Sequence, residues 1–454
     1  MRSIWAVAAN TIRQALRMKI AAAFILLMVI LIPVMGLGVT GDGTIKGKLQ
    51  SFTTYSLALV SLLLSLLTII VAAYSLSDDI KQHRIFMVLT KPIRRYKLLV
   101  GKLLGVILLD LILLVPICGV IYGITLYIPK HSNATPEQMQ TLRNEFFTAR
   151  ASVKPPQPDV TDEVMKTYQE LKSQNQLPER MSYNEIIANL TQLKKLQSRA
   201  LPPGGEIRWQ FDNIRLSESE PNIFIRYKYD VSSNPPDLSI VSGWMVGDLR
   251  QLPMVPQGKG SIYTFNKKDL IRTFHELEVN GNAVAADGHL EVLFYNPPVN
   301  NTVVIFDPDE GVEILYKAES FTTNFIKAAS MIFARLVFLA CVGVFAASFL
   351  SFPVAVLFAM TIFFITTISG FFLEAVGFLS TDVGTIYHYT VAPLVRLVPR
   401  FDIYNPSHYL VPARQIGWML LAKMFVLLIC LQSLIIFLFS LVIFELREIA
   451  KITV

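Results

Sequence analysis

The chain has 454 residues, 53% hydrophobic and 17% charged, with a formal net charge of +7. That balance excludes an average soluble domain, in which about a quarter of residues are charged, and excludes a disordered, highly charged segment. The charge is unevenly spread: residues 129–325 hold 20 Lys and Arg against 25 Asp and Glu, net −5, leaving 21 against 9, net +12, for the rest. The basic excess therefore accompanies apolar sequence, where anionic lipid attracts it, and argues against nucleic-acid binding.

Residues 2–18 set Trp5, Ala8, Ile12 and Leu16 at helical spacing, with Arg2, Asn10, Arg13, Gln14 and Arg17 on other faces. This pattern predicts an interfacial helix with its apolar stripe in the headgroup boundary. A bilayer core about 30 Å thick needs about 20 helical residues. Six uncharged or nearly uncharged runs reach that length, at approximately 20–39, 53–76, 103–128, 325–350, 354–379 and 416–444. The first exceeds a signal-peptide core, and Val34-Met35-Gly36-Leu37 offers no small-x-small cleavage site, so it reads as a retained anchor. The three cysteines, Cys118, Cys341 and Cys430, all fall within spans and imply no disulfide framework.

Lys and Arg are retained on the cytoplasmic side of a membrane. Arg2, Arg13, Arg17 and Lys19, and then Lys81, Arg84, Lys91, Arg94, Arg95, Lys97 and Lys102, put the N-terminus and the loop between spans two and three in the cytoplasm. Alternation then makes residues 129–324 extracytoplasmic and returns the C-terminus inside, with Arg396, Arg400 and Arg414 against the bias.

Residues 77–102 connect the second and third spans through a mixed helix, a break at Lys91-Pro92 and a second helix starting at that proline. The result is a cytoplasmic elbow. Its order, Asp78-Asp79-Ile80, Leu89-Thr90-Lys91-Pro92, Arg94-Arg95 and Gly101-Lys102-Leu103-Leu104-Gly105, resembles the coupling-helix region of permease subunits of type-2 class ABC exporters. The resemblance covers roughly the first 128 and the last 130 residues and implies six spans in two halves of three. It also implies an elbow that docks on a separate ATPase subunit, a second permease copy or related permease, and the bacterial inner membrane as location. The docking residues it implies lie in 78–89, with Asp78, Asp79, Lys81, His83, Arg84, Phe86 and Met87 among them, and 91–102, with Lys91, Pro92, Arg94, Arg95 and Lys102, is the hinge and membrane anchor. One departure is that many relatives carry Gly-Thr where His83-Arg84 stands here.

No Gly-x-x-x-x-Gly-Lys-Ser/Thr occurs: Gly47-Lys48 has Asp42 at the first glycine position and Leu49 after the lysine. No phosphate-cradling loop is therefore expected, and no cofactor: any ATP would be bound by the partner. The six histidines, at 83, 131, 275, 289, 388 and 408, have no metal-ligand spacing, and no Ser–His–Asp arrangement suggests an enzyme.

The predicted extracytoplasmic insertion, 129–324, opens with helical patterning in 136–150, 161–175 and 183–199, a helical hairpin or arm. From about residue 206 the period becomes two, in 207–211, 223–229 and 289–295, with turn signals at Asn234-Pro235-Pro236, Ala286-Asp287-Gly288 and Asn296-Pro297-Pro298. The expectation is a β-sandwich over 206–318, jelly-roll-like in outline. It could meet an extracytoplasmic partner.

Asp110, Arg335, Glu374 and Lys423 are ionisable positions in or beside the spans, where charge is costly unless paired or wet. Helical rise puts Glu374 within reach of Arg335 or Lys423, while Asp110 either lines a path or satisfies a neighbouring helix. Residues 380–414 carry Tyr and His with four prolines, the composition of an interfacial belt. By resemblance this segment includes short re-entrant helices; the plainer reading is an external loop. The fold class expected is a six-span α-helical polytopic membrane protein with an extracytoplasmic α+β domain. A membrane-anchored scaffold or sensor is the other functional class, though it would not need the elbow.

Overall fold

The computed structural model describes residues 2–81, 94–132, 135–178, 183–214, 216, 222–251, 262–308, 310–375, 393 and 398–446. They form two compact units, Met1–Ala149 with Ser320–Val454, and Arg150–Glu319.

The first unit begins with α1 (Arg2–Arg17), α2 (Lys19–Gly38), α3 (Ile45–Lys81), α4 (Arg95–Lys130) and α5 (Pro136–Glu145). The β-rich unit follows with β1 (Thr148–Val153), α6 (Thr161–Ser173), α7 (Tyr183–Gln197), β2 (Ala200–Leu201), β3 (Glu206–Phe211), β4 (Asn222–Tyr227), β5 (Tyr229–Val231) and β6 (Ser239–Gly247). It continues through β7 (Tyr263–Leu270), β8 (His275–Asn280), β9 (Leu290–Tyr295), β10 (Val304–Phe306) and β11 (Val312–Ser320). The chain returns to the first unit in α8 (Phe321–Phe349), α9 (Phe352–Ala375), the single turn α10 (Ser407–Leu410) and α11 (Trp418–Leu446), within which Val426–Ser433 is π-helical.

Six helices, α2, α3, α4, α8, α9 and α11, are long and apolar enough to cross a membrane. The protein is a polytopic helical membrane protein with a separate β-rich unit. At 1.5 Å per residue the 36 residues of α4 extend about 54 Å, against about 30 Å of hydrocarbon, so this helix runs well beyond its apolar run. The same holds for the 37 residues of α3.

Small residues set the closest helix approaches, as expected where backbones rather than bulky side chains meet. A Cβ at Gly343 of α8 would lie 2.7 Å from Ala72 of α3. A Cβ at Gly101 or Gly105 of α4 would lie 2.7 Å from Val7 or Thr11 of α1. The face of α1 turned to the protein is therefore Ala8, Thr11 and Ala15, all buried, whereas Trp5 and Leu16 of the sequence-derived stripe are more than half exposed. Close backbone contact selects the small side chains and leaves the large ones outward.

In the β-rich unit the sheets run β1-β11-β4-β8, β2-β10-β5 and β3-β9-β6-β7. All three supply one aromatic core: Trp244 lies 4.4 Å from Tyr227 and 4.9 Å from Phe294, and Phe306 lies 4.9 Å from both Phe294 and Trp209. The strands expected at 207–211, 223–229 and 289–295 are β3, β4 with β5, and β9. The helix expected over 136–150 stops at Glu145, and Thr148–Val153 is a strand instead. Its reason is tertiary: Arg150 lies over the Phe224 ring and pairs bidentately with Glu276 at 2.8 and 3.2 Å, and Ser152 donates to Glu313 at 2.6 Å. Side chains of β8 and β11 in the same sheet thereby bond Arg150 and Ser152.

Candidate functional site

Three sets of buried polar contacts stand out in an otherwise apolar helical unit. The first joins the helices on either side of residues 82–93. Lys102, near the start of α4, is buried and donates to the Ser75 carbonyl of α3, and its Nζ lies 2.5 Å from Asp79 Oδ2. At the first residue of the same helix, Arg95 donates to the Glu445 carbonyl at 3.1 Å, with Phe444 O at 3.5 Å. The Arg95 guanidinium thus meets carbonyls in the last described turn of α11, where a helix C-terminus favours a cation. Three helix ends, those of α3, α4 and α11, are thus tied by two cations.

Of the expected elbow residues, Asp79 and Arg95 take part in this clamp. Asp78 is half-buried and lines a cleft with Tyr74, Ser77 and the turn at Leu350–Pro353 between α8 and α9. Arg94 is exposed and precedes α4 without a side-chain cap. Lys81 ends α3, but its side chain, like His83, Arg84, Phe86, Met87, Lys91 and Pro92, lies outside the described residues. Lys102, which the sequence placed among the topology-setting charges and, by resemblance, at the end of the hinge, is the centre of the clamp.

The second set holds irregular backbone inside the helical unit. Residues 398–417 run between α9 and α11 with Phe401, Leu410, Ala413 and Ile416 buried. Their polar backbone is captured by side chains. Arg335 donates to the carbonyls of Phe401 at 2.5 Å and Tyr404 at 2.9 Å and to Ser61 Oγ at 3.3 Å, with its guanidinium 5.2 Å from the Phe401 ring. Asn324 donates to Arg414 O and accepts from Ile416 N, both at 2.8 Å. Lys327 donates to Ile416 O at 3.0 Å and stands 4.1 Å from the Trp418 ring, and Gln50 donates to Val411 O at 3.0 Å. From α9, Thr366 O accepts from Phe401 N at 3.0 Å.

Arg335 is 14 residues into α8, about 21 Å along it. The segment therefore reaches from the level of Asn324, in the first turn of α8, to near the middle of that helix. Over its described part the segment packs along α8 within the helical unit. Non-helical backbone at such depth is tolerated where protein satisfies it, which is what these four side chains and one helix carbonyl do. Residues 376–397, apart from Pro393, lie outside the described residues.

The intramembrane candidates separate accordingly. Arg335 is held by carbonyls; the side chain of Glu374 lies outside the described residues, so its pairing does too. Lys423 is exposed on α11. Asn324 and Lys327 carry the polar role at the start of α8, and sequence reasoning missed both because they sit at the edge of an apolar run. The third set is Asp110 of α4, fully buried, whose Oδ1 lies 2.8 Å from Thr68 Oγ1 of α3 and whose Oδ2 has no hydrogen-bond partner among the described residues. A buried carboxyl oxygen without a partner is costly, and such residues in spans mark functional positions more often than surface charges do.

No protein-family model, curated protein or solved structure matches this chain.

Proposed function

We propose that the chain is the membrane subunit of an ATP-driven ABC export complex, a permease of the type-2 class that works as a dimer with separate ATPase subunits. The reading rests on the ordered motif of residues 78–105, and the observation that carries it furthest is the clamp of Lys102 on Asp79 with Arg95 on Glu445 O. In this account residues 78–89 dock on the ATPase at the cytoplasmic face of a bacterial inner membrane. ATP-driven closure pulls on the elbow, and the clamp passes that pull to α3, α4 and α11 together, since a buried ion pair resists separation of the two arms. The re-entrant segment, tied to α8 by Arg335, Lys327 and Asn324, closes the extracytoplasmic end of the path and yields when α8 moves against α3. The β-rich unit stands outside, available to substrate or an envelope partner.

A membrane-anchored scaffold or sensor is the competing class. It has no use for a clamp that couples three helix ends. Purification of the solubilised protein from its native membranes separates the two: an export complex hydrolyses ATP through a co-purifying ATPase, whereas this chain alone does not. Absence of any ATPase from a gently solubilised preparation would favour the scaffold.

A further inference from the structure

An apolar groove of about 470 Å³ runs between α4, α8 and the first turns of α11, with Leu114, Val115, Cys118, Phe325, Ala329 and Phe333 among its walls. Along α4 it extends from Leu111 to Tyr122 and along α8 from Thr322 to Phe333, in each case eleven residues of rise or about 16 Å. Over that length the centre of a water-sized sphere is free across a section of about 30 Å², which with a radius of about 1.4 Å on each side makes the groove on the order of 9 Å wide between its walls, while a helix with its side chains is about 10–12 Å across. A helix of a second copy is therefore too thick to enter. A single hydrocarbon chain, whose carbons approach wall carbons at about 3.5–4.0 Å, fits.

The chemistry of the lining agrees with the size. Ser330 within the groove uses its hydroxyl on the Ile326 carbonyl at 2.9 Å, and the remaining polar pair, Tyr122 OH and Thr322 Oγ1 at 2.7 Å from each other, sits at one end. Water needs two to four polar partners and finds along these walls at most the Ser330 oxygen, so the groove takes apolar matter. All three walls belong to helices that can cross a membrane, whose surrounding solvent is lipid hydrocarbon. Gly119 keeps the floor open: a Cβ there would meet nothing within 4 Å.

We propose that this groove is a lipid site that binds one acyl chain of a membrane phospholipid, with the Tyr122 and Thr322 hydroxyls at its mouth facing the ester end of the chain. The site depends on the helical unit lying in a bilayer and not on the coupling role of the elbow. Hydroxyls at the apolar–polar boundary suit an ester carbonyl, and the rims formed by Val115 and Ile326, each more than half exposed, would lie against neighbouring lipid.

The full chain in vesicles of phosphatidylethanolamine and phosphatidylglycerol, doped with phosphatidylglycerol bearing a photoactivatable diazirine in one acyl chain, tests this. Illumination should label the walls around Cys118 and Ala329. Gly119→Phe and, from the opposite wall, Ala329→Phe should each cut that labelling about tenfold, the loss that corresponds to about 1.4 kcal/mol of binding. Labelling at Leu357 of α9, which is 66% exposed on another face, should stay unchanged and serves as the reference. Thermal unfolding of both variants checks that they fold. Groove labelling that persists relative to Leu357 in both folded variants overturns the proposal. So does disulfide formation between two copies through Ile326→Cys in vesicles where the groove takes no lipid label.

Discussion

Lys102 and Asp79 form an ion pair across the two arms of the elbow in which only 1% of the lysine side chain is exposed. A buried pair adds little over a well-packed apolar pair, but losing one member strands the other. Lys102→Met and Asp79→Asn should therefore each destabilise the helical unit, Lys102→Met by about 3–5 kcal/mol, and the double variant should be much less damaged than the sum. Thermal unfolding of the four proteins in one detergent gives the cycle; additive losses would mean the pair is not coupled.

Arg335 holds the segment of residues 398–417 by two of its carbonyls while also donating to the Ser61 hydroxyl of α3, contacts that a lysine, with one nitrogen, cannot all reach. A cysteine introduced at Leu410, which is 1% exposed, should react slowly with a maleimide in a background lacking Cys118, Cys341 and Cys430. Adding Arg335→Ala should speed that reaction by an order of magnitude or more, since several charge-assisted bonds of about 1.5–3 kcal/mol each are lost. Arg335→Lys should fall between. An unchanged rate in Arg335→Ala would show that packing alone retains the segment.

The β-rich unit carries its own pH dependence in His289, whose Nδ1 lies 2.6 Å from Asp212 and whose Nε2 lies 3.4 Å from Glu291. Burial lowers the pKa of His289, but the hydrogen bonds to Asp212 and Glu291 outweigh it and leave the group above its ordinary value, against the nearby positive charge of Arg250. The folded unit therefore binds the proton more tightly than the unfolded chain. The resulting stabilisation is complete below the unfolded value of about 6.5 and is lost as pH rises through the folded one. Hydrogen exchange of the β9 amides, corrected for intrinsic rates, should show protection falling over that window in the wild type and a flatter profile in His289→Gln. Protection that rises with pH would reverse the sign assigned here.

The apolar runs made six long helices legible, because length and hydropathy report directly on burial in hydrocarbon. Period-two alternation likewise revealed β3, β4 and β9. What stayed hidden depends on partners distant in sequence. Lys102 looks like any basic residue beside a span until Asp79 is brought to it. Asn324 and Lys327 look like ordinary residues at a helix start until the backbone at Arg414–Ile416 arrives. β1 is hidden for the same reason, its Arg150 and Ser152 meeting Glu276 and Glu313 from strands distant in sequence. In α1 the hydrophobic stripe was visible, but the small residues that bind Gly101 and Gly105 give almost no signal in a hydropathy pattern.

The docking of residues 78–89 on an ATPase is the central claim of the proposed function, and Phe86 tests it most directly, because an apolar side chain in a segment that docks would serve as an anchor to the partner. Affinity purification of the solubilised full chain, wild type against Phe86→Asp, should recover an ATPase with the first and lose it with the second, as expected when an anchor contributing about 2 kcal/mol or more is replaced by a buried unpaired carboxylate. Membrane abundance and protease resistance of the β-rich unit should be unchanged. Recovery of the same ATPase, with undiminished transport, from the Phe86→Asp protein would contradict the account.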